Sequence, residues 1–171
     1  WMTHQSRPLR DVVREINKSS NNLASRHLML SLAPGFPARA ATMAAAQERV
    51  RGWLQRQGFA ADDLVIDNGS GLSRAEKGRP RALVQLLCQA INQSNSRSFL
   101  ASLPVAGIDG TLAHRMENGF AAGMAFLKTG SLLDARALAG YVRGRSGKVY
   151  AVATLLNHPD AAVGRPALDQ V

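Results

Sequence analysis

Over residues 8–18 the apolar positions Leu9, Val12, Val13 and Ile16 recur at i, i+3, i+4 and i+7, the stripe of an amphipathic helix whose proline falls in the first turn, where a missing N–H costs little. Ser19-Ser20-Asn21-Asn22 breaks that stripe, and Leu23, His27 and Leu30, with Leu28 and Leu32, predict a second helix stopped by Pro34-Gly35. An alanine-rich run over 38–57, closed by Gly58, predicts a third. The period then shortens. Leu64-Val65-Ile66 is a β-type run that leads into Asp67-Asn68-Gly69-Ser70-Gly71-Leu72-Ser73-Arg74, a turn-forming segment whose glycines reach φ values costly for other residues. Residues 81–91 return to a helical pattern, with Cys88 among apolar neighbours and expected as a small buried side chain. Beyond Pro104 a turn-rich stretch gives way to β-type segments at 123–130, 138–143 and 148–156, the last two joined by Gly144-Arg145-Ser146-Gly147. Helices followed by a short antiparallel meander predict an α+β chain in which an antiparallel sheet is covered by helices.

Composition narrows the class. With 171 residues, 46% of them hydrophobic, the chain has the size and apolar content of one packed domain. Its apolar runs fall short of the roughly 18 residues that a membrane-spanning helix needs. The single cysteine excludes an internal disulfide framework, and His4, His27, His114 and His158 lie at no metal-binding spacing, so neither metal nor cofactor is expected. A net charge of +9 would suit nucleic acid, an anionic surface or an acidic substrate. The arginines are dispersed, however, and 5% aromatic content leaves few platforms for stacking bases. A solvated basic exterior is the simpler reading. The chain opens Trp1-Met2-Thr3 without the parts of a signal peptide, and is expected to be a piece of something longer.

The sharpest chemical signal is Lys128-Thr129-Gly130 on a β-type segment. Its residue counts give about 0.01 chance occurrences in a chain of this composition, against roughly 0.6 for S-x-N. S-x-N occurs in two overlapping frames, Ser19-Ser20-Asn21 and Ser20-Asn21-Asn22, and either could equally be a helix cap between two helices. Together, in this order, S-x-N and K-T-G are two of the three motifs used by penicillin-binding proteins and serine β-lactamases.

Four ordered segments carry a more specific likeness. N-K-S-S-N-N-L-A over 17–24, D-N-G-S-G-L-S-R over 67–74, G-I-D-G-T-L over 107–112 and K-T-G-S-L over 128–132 follow one another as in the class C low-molecular-mass penicillin-binding proteins, which the chain resembles over nearly its whole length. These are D-alanyl-D-alanine carboxypeptidases/endopeptidases. The resemblance implies the sheet-and-helix fold of the serine β-lactamase/D,D-peptidase (transpeptidase) type, incomplete in this chain. No serine is followed three positions later by lysine, so the S-x-x-K that carries the nucleophile is missing. Residues 1–171 are therefore expected to be the C-terminal part of the transpeptidase domain, from S-x-N to beyond K-T-G, without the S-x-x-K part and the accessory insertion.

The family frame selects Ser20 and Asn22 as the S-x-N pair and implies the remaining roles. Ser20 relays a proton toward the leaving nitrogen, helped by the Lys128 ammonium, which also attracts the substrate's terminal carboxylate. Asn22 orients the substrate amide through donor and acceptor. Thr129 offers a hydroxyl to the carboxylate, Gly130 lets the substrate backbone come close, and the Ser131 N–H is one of two oxyanion donors. Leu72 and Arg74 flank a side-chain pocket, where Arg74 either pairs with a diaminopimelate carboxylate or braces its own glycine-rich loop. Leu133 stands where relatives often carry a polar residue. Expected partners are peptidoglycan stem peptides, β-lactams and an upstream fragment bearing S-x-x-K, with no nucleic acid and no transmembrane segment. The expected location is the periplasm. A β-lactamase fragment, or a non-catalytic basic module binding cell wall or nucleic acid, is the alternative.

Overall fold

The computed structural model describes residues 2–3 and 5–170, so Trp1, His4 and Val171 lie outside the described residues. Helix α1 runs over Leu9–Ser19 with Asp11 in its first turn and Lys18 in its last, the charge order that the helix dipole favours. It ends because Ser20 turns into the left-handed region, φ 55° and ψ 47°. Asn21 then starts α2, Asn22–Leu30, by accepting a hydrogen bond on its side chain from the Ala24 N–H at 2.9 Å. The cap between the two helices is thus Asn21, and the Ser20 hydroxyl is left for other work. Helix α3, Met43–Arg56, begins five residues later than the alanine-rich run predicts, because Thr42 caps it by accepting from the Ala45 N–H.

Two short strands, β1 (Leu64–Val65) and β2 (Lys77–Gly78), pair antiparallel and close the base of the 67–74 loop. Helix α4 spans Pro80–Ala90. Cys88 corrects the sequence reading: it is exposed, since Ala82 and Leu87 define the buried face and Cys88 falls roughly 100° round the helix from Leu87. Helix α5, Ser96–Ser102, has no counterpart among the predicted elements. Its Phe99 and Leu100 pack beside Leu87, Leu103 and Tyr141. A 3-10 turn at Gly110–Leu112 precedes the main sheet, and α6, Arg165–Leu168, follows it.

The predicted meander is present and longer than the pattern showed. Strands β3 (Ala125–Leu132), β4 (Ala135–Arg143) and β5 (Val149–Asn157) form an antiparallel sheet in the order β3-β4-β5. One face buries Ala125, Leu127 and Leu138 against Ala106, Leu112 and Ala121, with Leu168 of α6 partly buried there. Complete burial of a leucine such as Leu127 contributes about 1.5–3 kcal/mol. The opposite face presents Tyr141, Phe126, Ala139 and Ala151 to α4 and α5. Tyr141 joins the layers: its hydroxyl donates to the Leu87 carbonyl at 2.7 Å and its ring meets Phe99 edge-on at 6.4 Å. Burial pushes the Tyr141 phenol pKa up.

The sheet has two different edges. Along β3, Leu127 N–H donates to Pro104 O and Ala106 N–H donates to Ala125 O, each at 2.9 Å, so the 104–106 segment covers the start of the strand. From Lys128 onward that edge is open. The outer edge of β5 has no partner strand among the described residues, and Val149, Tyr150 and Leu155 on that strand are exposed. Among the described residues, no helix is long and apolar enough to cross a membrane.

Candidate active site

Three pieces of chain meet at the open end of β3: the corner between α1 and α2, the 67–74 loop, and the strand itself. They enclose a cleft of about 750 Å³ whose lining includes Ser20, Asn22, Leu72, Lys128, Thr129 and Ser131.

The corner is held from behind. Lys18, at the end of α1, donates to both carboxylate oxygens of Asp109 at 2.7 and 2.6 Å and to the Leu103 carbonyl at 2.6 Å. Asp109 Oδ1 also accepts from the Val105 N–H at 2.8 Å. The Lys18 side chain is only 16% exposed, so this is a desolvated, multiply bonded pair rather than a surface one. Gly110 follows at φ +59°, and a Cβ there would stand 2.9 Å from the Lys18 carbonyl, so the backbone approach needs glycine. N-K-S-S-N and I-D-G-T thus build one corner from two distant segments, and on it stand Ser20 and Thr111.

The loop is pinned onto α2. Asn22 Nδ2 donates to Ser70 O at 2.5 Å, and Ser25 Oγ donates to Gly69 O at 2.7 Å. Gln47 Nε2 reaches from α3 to Asp67 O at 2.6 Å. Gly69, at φ +71°, lies against Met29, leaving no room for a Cβ. Asn22 therefore spends one of its two amide hydrogens on the loop and keeps the other, with its carbonyl oxygen, for a ligand.

Lys128 crosses from the strand to the corner. Its Nζ donates to Ser20 Oγ and to Thr129 O, both at 2.9 Å. Because Ser20 accepts from Lys128, its own proton is free to move toward the cleft. Burial lowers the Lys128 pKa from its ordinary lysine value. The amine is accordingly held nearer to exchanging a proton with the hydroxyl it touches.

On the other face of β3, Thr129 Oγ1 and Thr111 Oγ1 share a hydrogen bond at 2.9 Å. The direction of the backbone follows from alternation. Since the Leu127 N–H points away from β4 and the β3–β4 register is continuous to Leu132, the N–H groups of Thr129 and Ser131 point away from it too, at the open edge. Gly130, on that edge, is exposed.

The structure thus brings together Ser20, Asn22, Lys128, Thr129, Gly130, Ser131 and Leu72. Arg74 is set apart. It forms an ion pair with Asp134 in the β3–β4 turn and lines a second, neighbouring hollow instead of the cleft. Of the two readings of Arg74, bracing is the one seen, and it ties the loop to the strand turn. The Arg74 guanidinium draws the Asp134 carboxyl pKa below the usual carboxylate value. Leu133, beside Asp134, is 83% exposed and touches neither hollow.

Sequence reasoning assigned no role to Thr111, Arg115, Arg136 or Arg165, which also line the cleft. Thr111 stood inside a quoted motif, but its pairing with Thr129 depends on a fold contact. The three arginines had no motif at all.

Comparison with known proteins agrees with this geometry. The family model described as D-Ala-D-Ala carboxypeptidase 3 (S13) matches residues 2–171. A D-alanyl-D-alanine carboxypeptidase of Actinomadura sp. (strain R39) is 36% identical over 151 residues, covering 85% of this chain and 28% of the relative. The D-alanyl-D-alanine carboxypeptidase DacB of Haemophilus influenzae is 28% identical over 162 residues, covering 90% of this chain and 33% of the relative. The crystal structure of penicillin binding protein 4 (dacB) from Haemophilus influenzae superposes with a TM-score of 0.83 at 27% identity, over 91% of this chain and 35% of that one. The chain spans about a third of the length of these relatives.

Proposed function

The chain belongs to the D-Ala-D-Ala carboxypeptidase 3 (S13) family, and from that premise we propose that it is the C-terminal part of the transpeptidase domain of a penicillin-sensitive serine D,D-carboxypeptidase/endopeptidase acting on peptidoglycan stem peptides. The observation that carries the reading is the Lys128–Ser20 hydrogen bond at 2.9 Å beside an open strand edge. An amine of lowered pKa against a hydroxyl, next to free backbone donors, is the equipment for moving one proton while an oxyanion forms.

In this reading the nucleophile comes from an upstream segment bearing S-x-x-K. Its serine oxygen bonds to the carbonyl carbon of the scissile D-Ala peptide bond, with the oxyanion received by the Ser131 N–H and the nucleophile's own N–H. As the tetrahedral species collapses the C–N bond breaks, and the leaving amine takes a proton from Ser20, which Lys128 resupplies. Asn22 holds the substrate amide, Thr129 holds the terminal carboxylate, and Gly130 and Leu72 shape the approach. Water then releases the acyl group from the serine ester. A β-lactam takes the same first step and stays bound. The free edge of β5 supports the same assignment, because an upstream strand would cover it. A periplasmic location follows from such a substrate.

The test is labelling of the intact parent by a fluorescent penicillin, together with release of D-alanine from a D-Ala-D-Ala peptide. Stoichiometric labelling and turnover, both abolished by alanine at the upstream serine, are expected. A folded parent that does neither would sink the reading.

A further inference from the structure

The cleft continues past Thr129 and Ser131 into an end that the catalytic reading does not use. Among the described residues lining the cleft there is no carboxylate, while Arg115, Lys128, Arg136 and Arg165 all face it. Arg115 is neutralised: its Nε donates to Asp169 Oδ2 at 3.2 Å, its Nη2 binds Asp169 Oδ1, and the pair is largely buried. Arg136 is different. Its Nη1 donates to the carbonyls of Leu132 and Ala135 in the β3–β4 turn, and among the described residues it has no carboxylate partner. Arg165 has none either, and it is exposed.

Register fixes where Arg136 points. It is opposite Ser131, and Leu138, two residues on, is opposite Thr129. Leu138 packs with Leu112, so residues 136 and 138 present the face of the sheet on which Thr129 and Thr111 share their hydrogen bond. A guanidinium anchored through one nitrogen to turn carbonyls keeps its other N–H groups for a second acceptor. Placed in a cleft without acidic residues, beside two hydroxyls, it suits a planar anion.

We propose that Arg136, seconded by Arg165, forms a carboxylate subsite at this end of the cleft and receives the free carboxylate of the residue that leaves from the scissile bond. The proposal rests on the D,D-peptidase reading and adds to it a residue that sets preference for a charged over a neutral C-terminus. Thr129 and Thr111 then orient the carboxylate, and Arg136 supplies its countercharge.

The experiment compares wild-type parent, Arg136→Gln, Arg136→Ala and Arg165→Gln on N-acetyl-D-alanyl-D-alanine and on its C-terminal carboxamide. Glutamine keeps an N–H donor for the turn carbonyls while removing the charge. Arg136→Gln is expected to raise KM for the free acid about tenfold or more and to change KM for the amide by no more than about twofold, with kcat for the acid little altered. Equal losses on both substrates, or an unchanged KM for the acid, would overturn the subsite while leaving the enzymatic reading intact. Titration with N-acetyl-D-alanine, followed by arginine Nε–H resonances, reads the subsite without turnover. A saturable shift that Arg136→Gln abolishes supports it even if the parent proves inactive, and no response in wild type overturns it even if penicillin acylates the parent.

Discussion

At the scale of single residues, Lys128 trades stability for reactivity. Its pKa is lowered by burial in the folded chain and returns to the ordinary value on unfolding, so between the two values the unfolded state binds more protons and stability rises with pH. Below the lowered value the full cost of burying the ammonium is present, and above the ordinary value it is gone. Lys128→Met is therefore expected to melt at or above the wild-type temperature at neutral pH, with the difference narrowing as pH approaches 10, a thermal-melt series against pH being the check. The same variant should lose acylation by penicillin about 10²-fold or more; near-normal acylation would remove Lys128 from the mechanism. Ser20→Ala should slow acylation about 10²–10⁴-fold with the fold intact by circular dichroism. Arg74 obeys the opposite sign rule through its partner, because the lowered Asp134 pKa makes the pair fully formed above the ordinary carboxylate range and lost as pH falls through the depressed value. Asp134→Asn should release Arg74 and improve KM for stem peptides carrying an extra side-chain carboxylate, whereas Arg74→Ala should worsen it; equal effects from both variants would mean that the pair only braces.

Among elements, the decisive joint is the one between α1 and the 3-10 turn. A methyl group at Gly110 would meet the Lys18 carbonyl and strain a backbone at φ +59°, so Gly110→Ala is expected to destabilise by about 1–3 kcal/mol and to displace Ser20 from Lys128. Denaturant melts and acylation rates of the same variant check both effects, and a loss of stability with unchanged rate would show that the corner moves without its hydroxyl. This joint also marks how far the sequence could be read. The stripes of α1 and α4 and the meander showed in the apolar pattern because each has one buried face. Helix α5 did not, since seven residues are too few to display a period and its anchor, Ser102, is a buried polar group reached by Asn17. At the site, Ser20, Asn22 and the 128–131 run were legible from motifs. The Thr111–Thr129 bond and the arginine-lined end were not, because they depend on strand register and on contacts 18 or more residues apart. The isolation of Arg74 from the cleft rests on Asp134, sixty residues away, which no local pattern announces.

For the whole molecule, the unpaired edge of β5 and the missing nucleophile call for the same complement. The 171-residue chain by itself should neither be labelled by penicillin nor release D-alanine, and adding a segment that bears S-x-x-K should restore both and raise the melting temperature through mass action. Covalent labelling of the isolated chain, read by intact mass, would refute this. The open stretch of β3 has a different consequence, which concerns what heredity can alter. The donor at position 131 belongs to the main chain, and of all the amino acids that mutation can install there, proline alone lacks it. Selection for escape from an inhibitor held by that N–H therefore has almost no route through residue 131. It must act on the hydroxyls, the lysine and the arginines around it, each of which the normal substrate is proposed to need as well.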